Sequence, residues 1–290
     1  MHRFVLHNGE IQDAAARFLS PGQIGVANGW GVFSTLRVID GVLFAFERHW
    51  ERMKKDAEIL RVPFPDHPVL MLEPLDRLIA ANGAAQSTLR VMVFRNHGGA
   101  WEGPGIERDY DLVAFTADVK RWGENVKLGL APNGRHAGSP FSGAKILSWS
   151  HNLVMLEEAQ SRGFDEVILL NEHGLVSECT SANVFVSEGN RIWTPPLAAG
   201  CLPGVTRRLL LEEISVEGVE IGEKDLNPSD LERADDVFIT STTRGLKPVA
   251  SVEGLRIQHS GSARQPVQAA FSDYVREYVA SAKSRQTSVS

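Results

Sequence analysis

Short apolar runs broken by tight-turn residues recur through the second half of the chain, and they constrain its fold more than any other feature. DEVILLN is followed by the turn NEHG and the run LVSE. ANVFVSEGNRIWTP predicts a hairpin across Glu188-Gly189-Asn190, and DDVFITS runs into the turn TTRG. Aliphatic and β-branched runs of this length, bounded by Gly, Asn and Ser, are strand signals. Helical periods are interleaved with them. Residues 150–162 predict a helix ending at Gly163, the loop PLAAGCLPG leads into a helix VTRRLLLEEI, and a last helix is expected over 266–283. The tail SRQTSVS has a composition that predicts disorder.

The first third carries both element types too. VLHNGEI and LRVIDGVLFAF predict strands around turns, the second with an Asp40-Gly41 hairpin signal. Residues 47–60 predict a helix with Trp50, Met53, Ala57 and Leu60 on one face, and His49, Arg52 and Asp56 on the neighbouring stripe. A second helix is expected over 69–82, stopping near Gly83, before the strands LRVMVF and DLVAFTA. A Gly-rich segment, FRNHGGAWEGPGIERD, separates those strands, and APNGRHAGSPFSGAK follows the strand NVKLGL. Long irregular loops in a compact domain are often functional. The fold class expected is α+β, a mixed α/β chain of two domains. The smaller covers 1–118, a linker 119–125, and the larger 126–290.

Several function classes lose their footing. The net charge is −6 with no basic run, which argues against nucleic acid. No apolar stretch approaches the roughly 18 to 20 residues of a membrane span. MHRFVLHNGE has no apolar signal core, and two cysteines in 290 residues read as free thiols; both suit a cytoplasmic protein. P-loop, GxGxxG and GxSxG motifs are missing, and no two histidines stand three or four residues apart, so no metal is expected.

What remains is a lysine and two turns. Of eight lysines, Lys145 lies among small and apolar residues in SGAKILSW. Burial lowers an amine's pKa, as a Schiff-base lysine requires; a snorkelling structural lysine has the same surroundings. LPGVTRRLLLEEI sets a Pro-Gly turn before a helix, whose first N–H groups near Val205 and Thr206 can bind an anion or simply be capped. The run Ser241-Thr242-Thr243 can form a backbone nest or a merely polar turn. Arg52 is a possible phosphate clamp or a solvated helix arginine.

In this order the pieces resemble the fold-type IV pyridoxal-phosphate enzymes, the class IV aminotransferase family of branched-chain and D-amino-acid aminotransferases and aminodeoxychorismate lyases. The likeness runs from HNGEI to TRGLKPV and is most specific where AKILSW, SECTSANVF and LPGVTR follow in register. It implies pyridoxal 5′-phosphate in the cleft between two domains, with Lys145 as the Schiff-base lysine. Glu178 matches the carboxylate that bonds the pyridine nitrogen, and Asn183 a supporting asparagine near it. Leu202 matches the residue stacked on the ring. Arg52, Val205, Thr206 and Thr242 match the phosphate site. Thr243 lies beside the substrate carboxylate, with Arg244, Phe33, Arg95 and His97 as further substrate-side candidates. The last two resemble an arginine-x-histidine carboxylate trap.

The chain also departs from the branched-chain pattern. Trp149 stands where those enzymes have a tyrosine near the cofactor's phenolic oxygen, and Ser34 replaces a glutamate. A Trp N–H donates but neither ionises nor accepts. The resemblance implies a transaminase acting on an amino donor and a 2-oxo acid, and a homodimer. Its rival is aminodeoxychorismate lyase, which Thr35 and FRNHGGAWEGPG resemble.

Overall fold

The computed structural model describes residues 1–100, 103 and 106–287, and the chain within them divides into two compact units. Unit 1 holds Met1–Lys120, Ala144–Trp149 and the chain from Tyr278; unit 2 holds Arg121–Gly143 and Ser150–Glu277. Trp101, Glu102, Pro104 and Gly105 of the Gly-rich segment, and Ser288–Ser290 of the tail, lie outside the described residues.

Unit 1 begins with β1 (Phe4–His7), β2 (Glu10–Asp13), α1 (Ile24–Asn28), β3 (Gly31–Ile39) and β4 (Val42–Leu43). It continues with α2 (Phe46–Leu60), α3 (Val69–Ala81), β5 (Ser87–Arg95) and β6 (Tyr110–Asp118). The strands form one sheet in the order β2-β1-β6-β5-β3-β4, antiparallel throughout. Both two-residue hairpins have the backbone that Asn-Gly and Asp-Gly favour. Asn8 and Gly9 have φ of 47° and 88°, and Asp40 and Gly41 have 51° and 83°, the paired positive φ that matches strand twist. The second arm of the Asp40-Gly41 hairpin is shorter than its apolar run suggests. Strand pairing stops at Leu43, because Ala45 turns left-handed (φ 52°) and Phe46 starts α2.

The helix α2 buries Phe46, His49, Arg52, Met53, Asp56 and Ala57. Met53 and Ala57 pack with Val32, Leu36 and Val38 of β3 and with Val91 and Val93 of β5. Each fully buried aliphatic side chain of this kind contributes about 1.5–3 kcal/mol. The polar stripe beside the apolar one is therefore carried into the interior as well. It is not a solvated face.

Unit 2 contains β7 (Val126–Ala131), α4 (Ser150–Ser161), β8 (Glu166–Leu170), β9 (Val176–Cys179), β10 (Asn183–Glu188) and β11 (Arg191–Thr194). It is completed by α5 (Val205–Glu212), β12 (Glu220–Glu223), α6 (Pro228–Arg233), β13 (Asp236–Ser241) and β14 (Gly245–Val252). Its sheet runs β12-β11-β10-β13-β14-β7-β8-β9. Here β7 is parallel to both neighbours, so it is a central strand, and the buried runs of β8, β10 and β13 follow. Finally α7 (Arg264–Thr287) outruns the predicted helix at both ends. Ser284–Thr287 of the expected disordered tail are helical, and the Ser284 hydroxyl donates to the Ala280 carbonyl at 3.0 Å.

Candidate active site

The surroundings of Lys145 are built in unit 1. Between Gly31 and Val38, β3 gives one edge to β5. Its other edge, ahead of β4, receives the segment around Lys145. The Phe33 N–H donates to the Lys145 carbonyl at 3.1 Å, and the Leu147 N–H donates to the Gly31 carbonyl at 2.8 Å. The Lys145 N–H in turn donates to Asp56 Oδ2 at 3.2 Å. Both backbone polar groups of this lysine are thus bonded, and the residue is half-buried. Its Nζ stands 4.7 Å from the centre of the Phe33 ring and 5.9 Å from that of Trp149. The two rings meet edge to face at 6.1 Å.

A second cation reaches the same ring. Arg90 pairs with Thr35 across the ladder while Phe33 pairs with Met92, so Arg90 and Phe33 are diagonal neighbours on one sheet face. The Arg90 guanidinium lies 3.9 Å from the Phe33 ring centre and has no hydrogen bond or ion pair among the described residues. Burial lowers its pKa. A half-buried guanidinium without an anion is a candidate for an anionic ligand.

Arg52 is buried too, 5% exposed. Its Nη2 donates to Ser34 Oγ at 2.6 Å, and its Nε lies 3.9 Å from Asp56 Oδ2. The Ser34 hydroxyl is also 2.7 Å from His49 Nδ1. Burial raises the Asp56 pKa, opposed by Arg52 and by the Lys145 N–H and charge. The i, i+3, i+7 spacing of His49, Arg52 and Asp56 is visible in the sequence. That Ser34 joins them is not, because it sits 15 residues from His49 and 18 from Arg52.

The surroundings of Glu178 are built in unit 2. Glu178 is the penultimate residue of β9, beside Leu169 of β8. Its Oε1 accepts from Arg135 Nη2 at 2.8 Å and its Oε2 from the Leu202 N–H at 3.1 Å. Arg135 carries no signal in the sequence that links it to Glu178. Asn183 Nδ2 donates to the Leu202 carbonyl at 2.9 Å, which pins the Pro-Gly turn ahead of α5. The turn has room for glycine only: a Cβ on Gly204 would lie 2.1 Å from Asn183 Oδ1. Val205 and Thr206 open α5, are buried, and have no side-chain cap above them. Because Asn183 pairs with Thr240 of β13, this helix start shares a sheet end with the turn holding Thr242 and Thr243. Both threonines are half-buried.

The remaining candidates are committed to their own surroundings. Arg244 donates to Glu166 Oε2 at 3.2 Å and to the Ser181 carbonyl at 3.1 Å, and its guanidinium lies over Trp122 at 3.9 Å. Arg95 donates to the His97 carbonyl at 2.6 Å and the Arg61 carbonyl at 3.1 Å, and lies over Trp30 at 4.6 Å. It thereby ties the start of the Gly-rich segment to the end of α2. Further along, Asp111 accepts from Asn8 at 2.7 Å and Gln23 at 2.6 Å, and pairs with Arg108. Among the described residues no helix is long and apolar enough to cross a membrane, and no cluster of His, Cys, Asp or Glu could hold a metal ion.

Residues 31–252 match the family model described as amino-transferase class IV. Among curated relatives, a D-alanine aminotransferase of Bacillus licheniformis is 28% identical over 257 residues, covering 87% of this chain and 89% of its own. An aminodeoxychorismate lyase of Bacillus subtilis is 26% identical over 282 residues, 94% of each chain. Among solved structures, the T.th. branched-chain amino acid aminotransferase complexed with N-(5′-phosphopyridoxyl)-L-glutamate superposes with a TM-score of 0.84 at 20% identity, over 96% of this chain and 95% of that one. At that identity the likeness concerns the fold.

Proposed function

The chain belongs to the amino-transferase class IV family, whose members are pyridoxal-phosphate enzymes, and from that premise we propose that it is a transaminase carrying pyridoxal 5′-phosphate on Lys145. The donor set fits the cofactor. There is one half-buried amine at Lys145, one carboxylate at Glu178, a buried guanidinium at Arg52, and an uncapped helix start behind a turn that a Cβ would fill. When bound, the cofactor supplies an electron sink for the electron pair left at the substrate Cα.

The rest is the work of the chain's own residues. Glu178 accepts at the pyridine nitrogen and holds a proton there, while Arg135 and Asn183 keep the carboxylate and the Leu202 strap in place. Leu202 packs on the ring, and Trp149 donates near its phenolic oxygen. Arg52, the N–H groups of Val205 and Thr206, and Thr242 bind the phosphate. Lys145 would hold the cofactor through its Nζ, and its amine, once freed, would be the group that carries a proton from the substrate Cα as base and gives it back as acid. Arg90, above Phe33 and without an anion of its own, receives a carboxylate of the amino acid or 2-oxo acid, with Thr243 as a further donor.

The observation that carries this reading is the fixed backbone of Lys145 with its amine over Phe33 and Trp149. The test is incubation of the purified protein with L- and D-amino acids, amines and 2-oxo acids, following loss of the aldehyde absorbance. The expected outcome is conversion to pyridoxamine phosphate with release of a keto acid. A second reading, elimination of pyruvate from aminodeoxychorismate, has the end-to-end likeness to the Bacillus subtilis lyase in its favour. It wins if no donor converts the cofactor while that substrate yields pyruvate. A cytoplasmic homodimer is the assembly we propose with either reading.

A further inference from the structure

Ser34 Oγ lies 2.6 Å from Arg52 Nη2 and 2.7 Å from His49 Nδ1. A guanidinium nitrogen can only donate, so the serine oxygen accepts from Arg52. A hydroxyl oxygen can accept twice, but Ser34 is fully buried and has no other acceptor among the described residues, so its one proton goes to His49 Nδ1 and that nitrogen is the acceptor. The imidazole is therefore neutral, with its proton on Nε2. Its setting agrees: burial, and then the charges of Arg52 and Lys145, hold the His49 pKa well below the usual imidazole range. Asp56 is the anion of this cluster, and its contacts run to Arg52 and the Lys145 N–H.

His49 is 1% exposed, and its Nε2 is buried without a hydrogen-bond partner among the described residues. Buried donors are almost always satisfied, so an N–H fixed by so specific a chain points to a ligand oxygen. His49 and Arg52 are three residues apart on α2 and lie on neighbouring positions of one helix face. We propose that Ser34 is a positioning residue that locks His49 as an Nε2–H donor to the cofactor's phosphate monoester, alongside Arg52. This rests on the pyridoxal-phosphate reading above. It departs from an ordinary arginine clamp in that one arm is a neutral donor whose tautomer a serine sets.

Two measurements on the full chain test it. In histidine-labelled holoenzyme, long-range ¹⁵N–¹H spectra should show His49 protonated at Nε2 and bare at Nδ1 at neutral pH; protonation at Nδ1, or a doubly protonated ring, would overturn the proposal. Ser34→Ala, freed of cofactor and titrated with pyridoxal phosphate and with pyridoxal, should bind the phosphate ester roughly ten-fold more weakly, the loss of one charge-assisted bond, and bind pyridoxal like the wild type. Equal loss for both ligands, or for neither, would overturn it and make Ser34 structural. Failure of the wild type itself to bind pyridoxal phosphate would overturn the cofactor reading along with it.

Discussion

At Glu178 each carboxylate oxygen has a donor, Arg135 on one side and the Leu202 N–H on the other. Glu178→Gln keeps the shape but replaces one acceptor with an N–H that repels its partner. We predict retained cofactor and a turnover lowered at least about 100-fold, the scale of a lost charge-stabilising contact. Parallel absorbance and steady-state measurements check this, and normal turnover would give the acid another task. For Arg90→Met, the Michaelis constant for amino acids should rise roughly ten-fold through the lost ion pair, with carboxylate-free amines unaffected; equal change for both would make Arg90 a packing residue for Phe33. Single residues with unusual neighbours in sequence, such as Lys145 between small and apolar residues, were legible beforehand. Arg135 and Ser34 were not, because their meaning depends on partners 43 and 18 residues away. Nor does the sequence tell that Arg90 covers the Phe33 ring, 57 residues away.

Among elements, the sequence predicts α2, α3 and α4 to within a residue or two, α2 and α3 because each repeats apolar positions long enough to count and α4 because Gly163 marks its end. The same reading left out α6, although NPSDLER carries a capping box in which Asn227 accepts from the Asp230 N–H and Pro228 opens the helix. Six residues are too few to show a period. Strand β12 escaped for the same reason, as only four residues pair with β11. The Pro-Gly turn before α5 supports a direct test. Gly204→Ala must push the Asn183 amide aside, release the Leu202 carbonyl and weaken cofactor binding, with a stability loss of about 1–3 kcal/mol from overpacking; an unchanged titration curve and melting temperature would contradict that packing. In α3, burial and then the charge of Glu73 raise the Asp76 pKa from 3.8 to about 6. A raised carboxyl favours the folded state only while protonated, so that contribution is complete below about pH 4 and is lost as pH climbs through about 6. Asp76→Asn should therefore raise the melting temperature at pH 7.5, by an effect on the order of 1 kcal/mol after solvent screening, and leave it unchanged near pH 3.5. Thermal melts at the two values decide it.

For the whole molecule, the sequence pattern reaches the α+β class because strand and helix periods are both present, and the two sheets with their helices agree. It does not reach the assembly of each unit. Unit 1 takes in Ala144–Trp149 from the middle of the chain and its last helical turns, where the Tyr278 hydroxyl donates to Glu47 Oε2 at 2.7 Å and Lys283 Nζ to Asp40 Oδ2 at 2.8 Å. Such pairings join residues more than 200 positions apart, beyond the range of any local period. The proposed function stands on one of those distant placements, the docking of the Lys145 segment on the edge of β3. Borohydride reduction of the holoenzyme, followed by peptide mass mapping, tests it most directly. We expect a pyridoxyl mass on the peptide containing Lys145 and none in a folded Lys145→Ala variant; a label on any of the other lysines would contradict it.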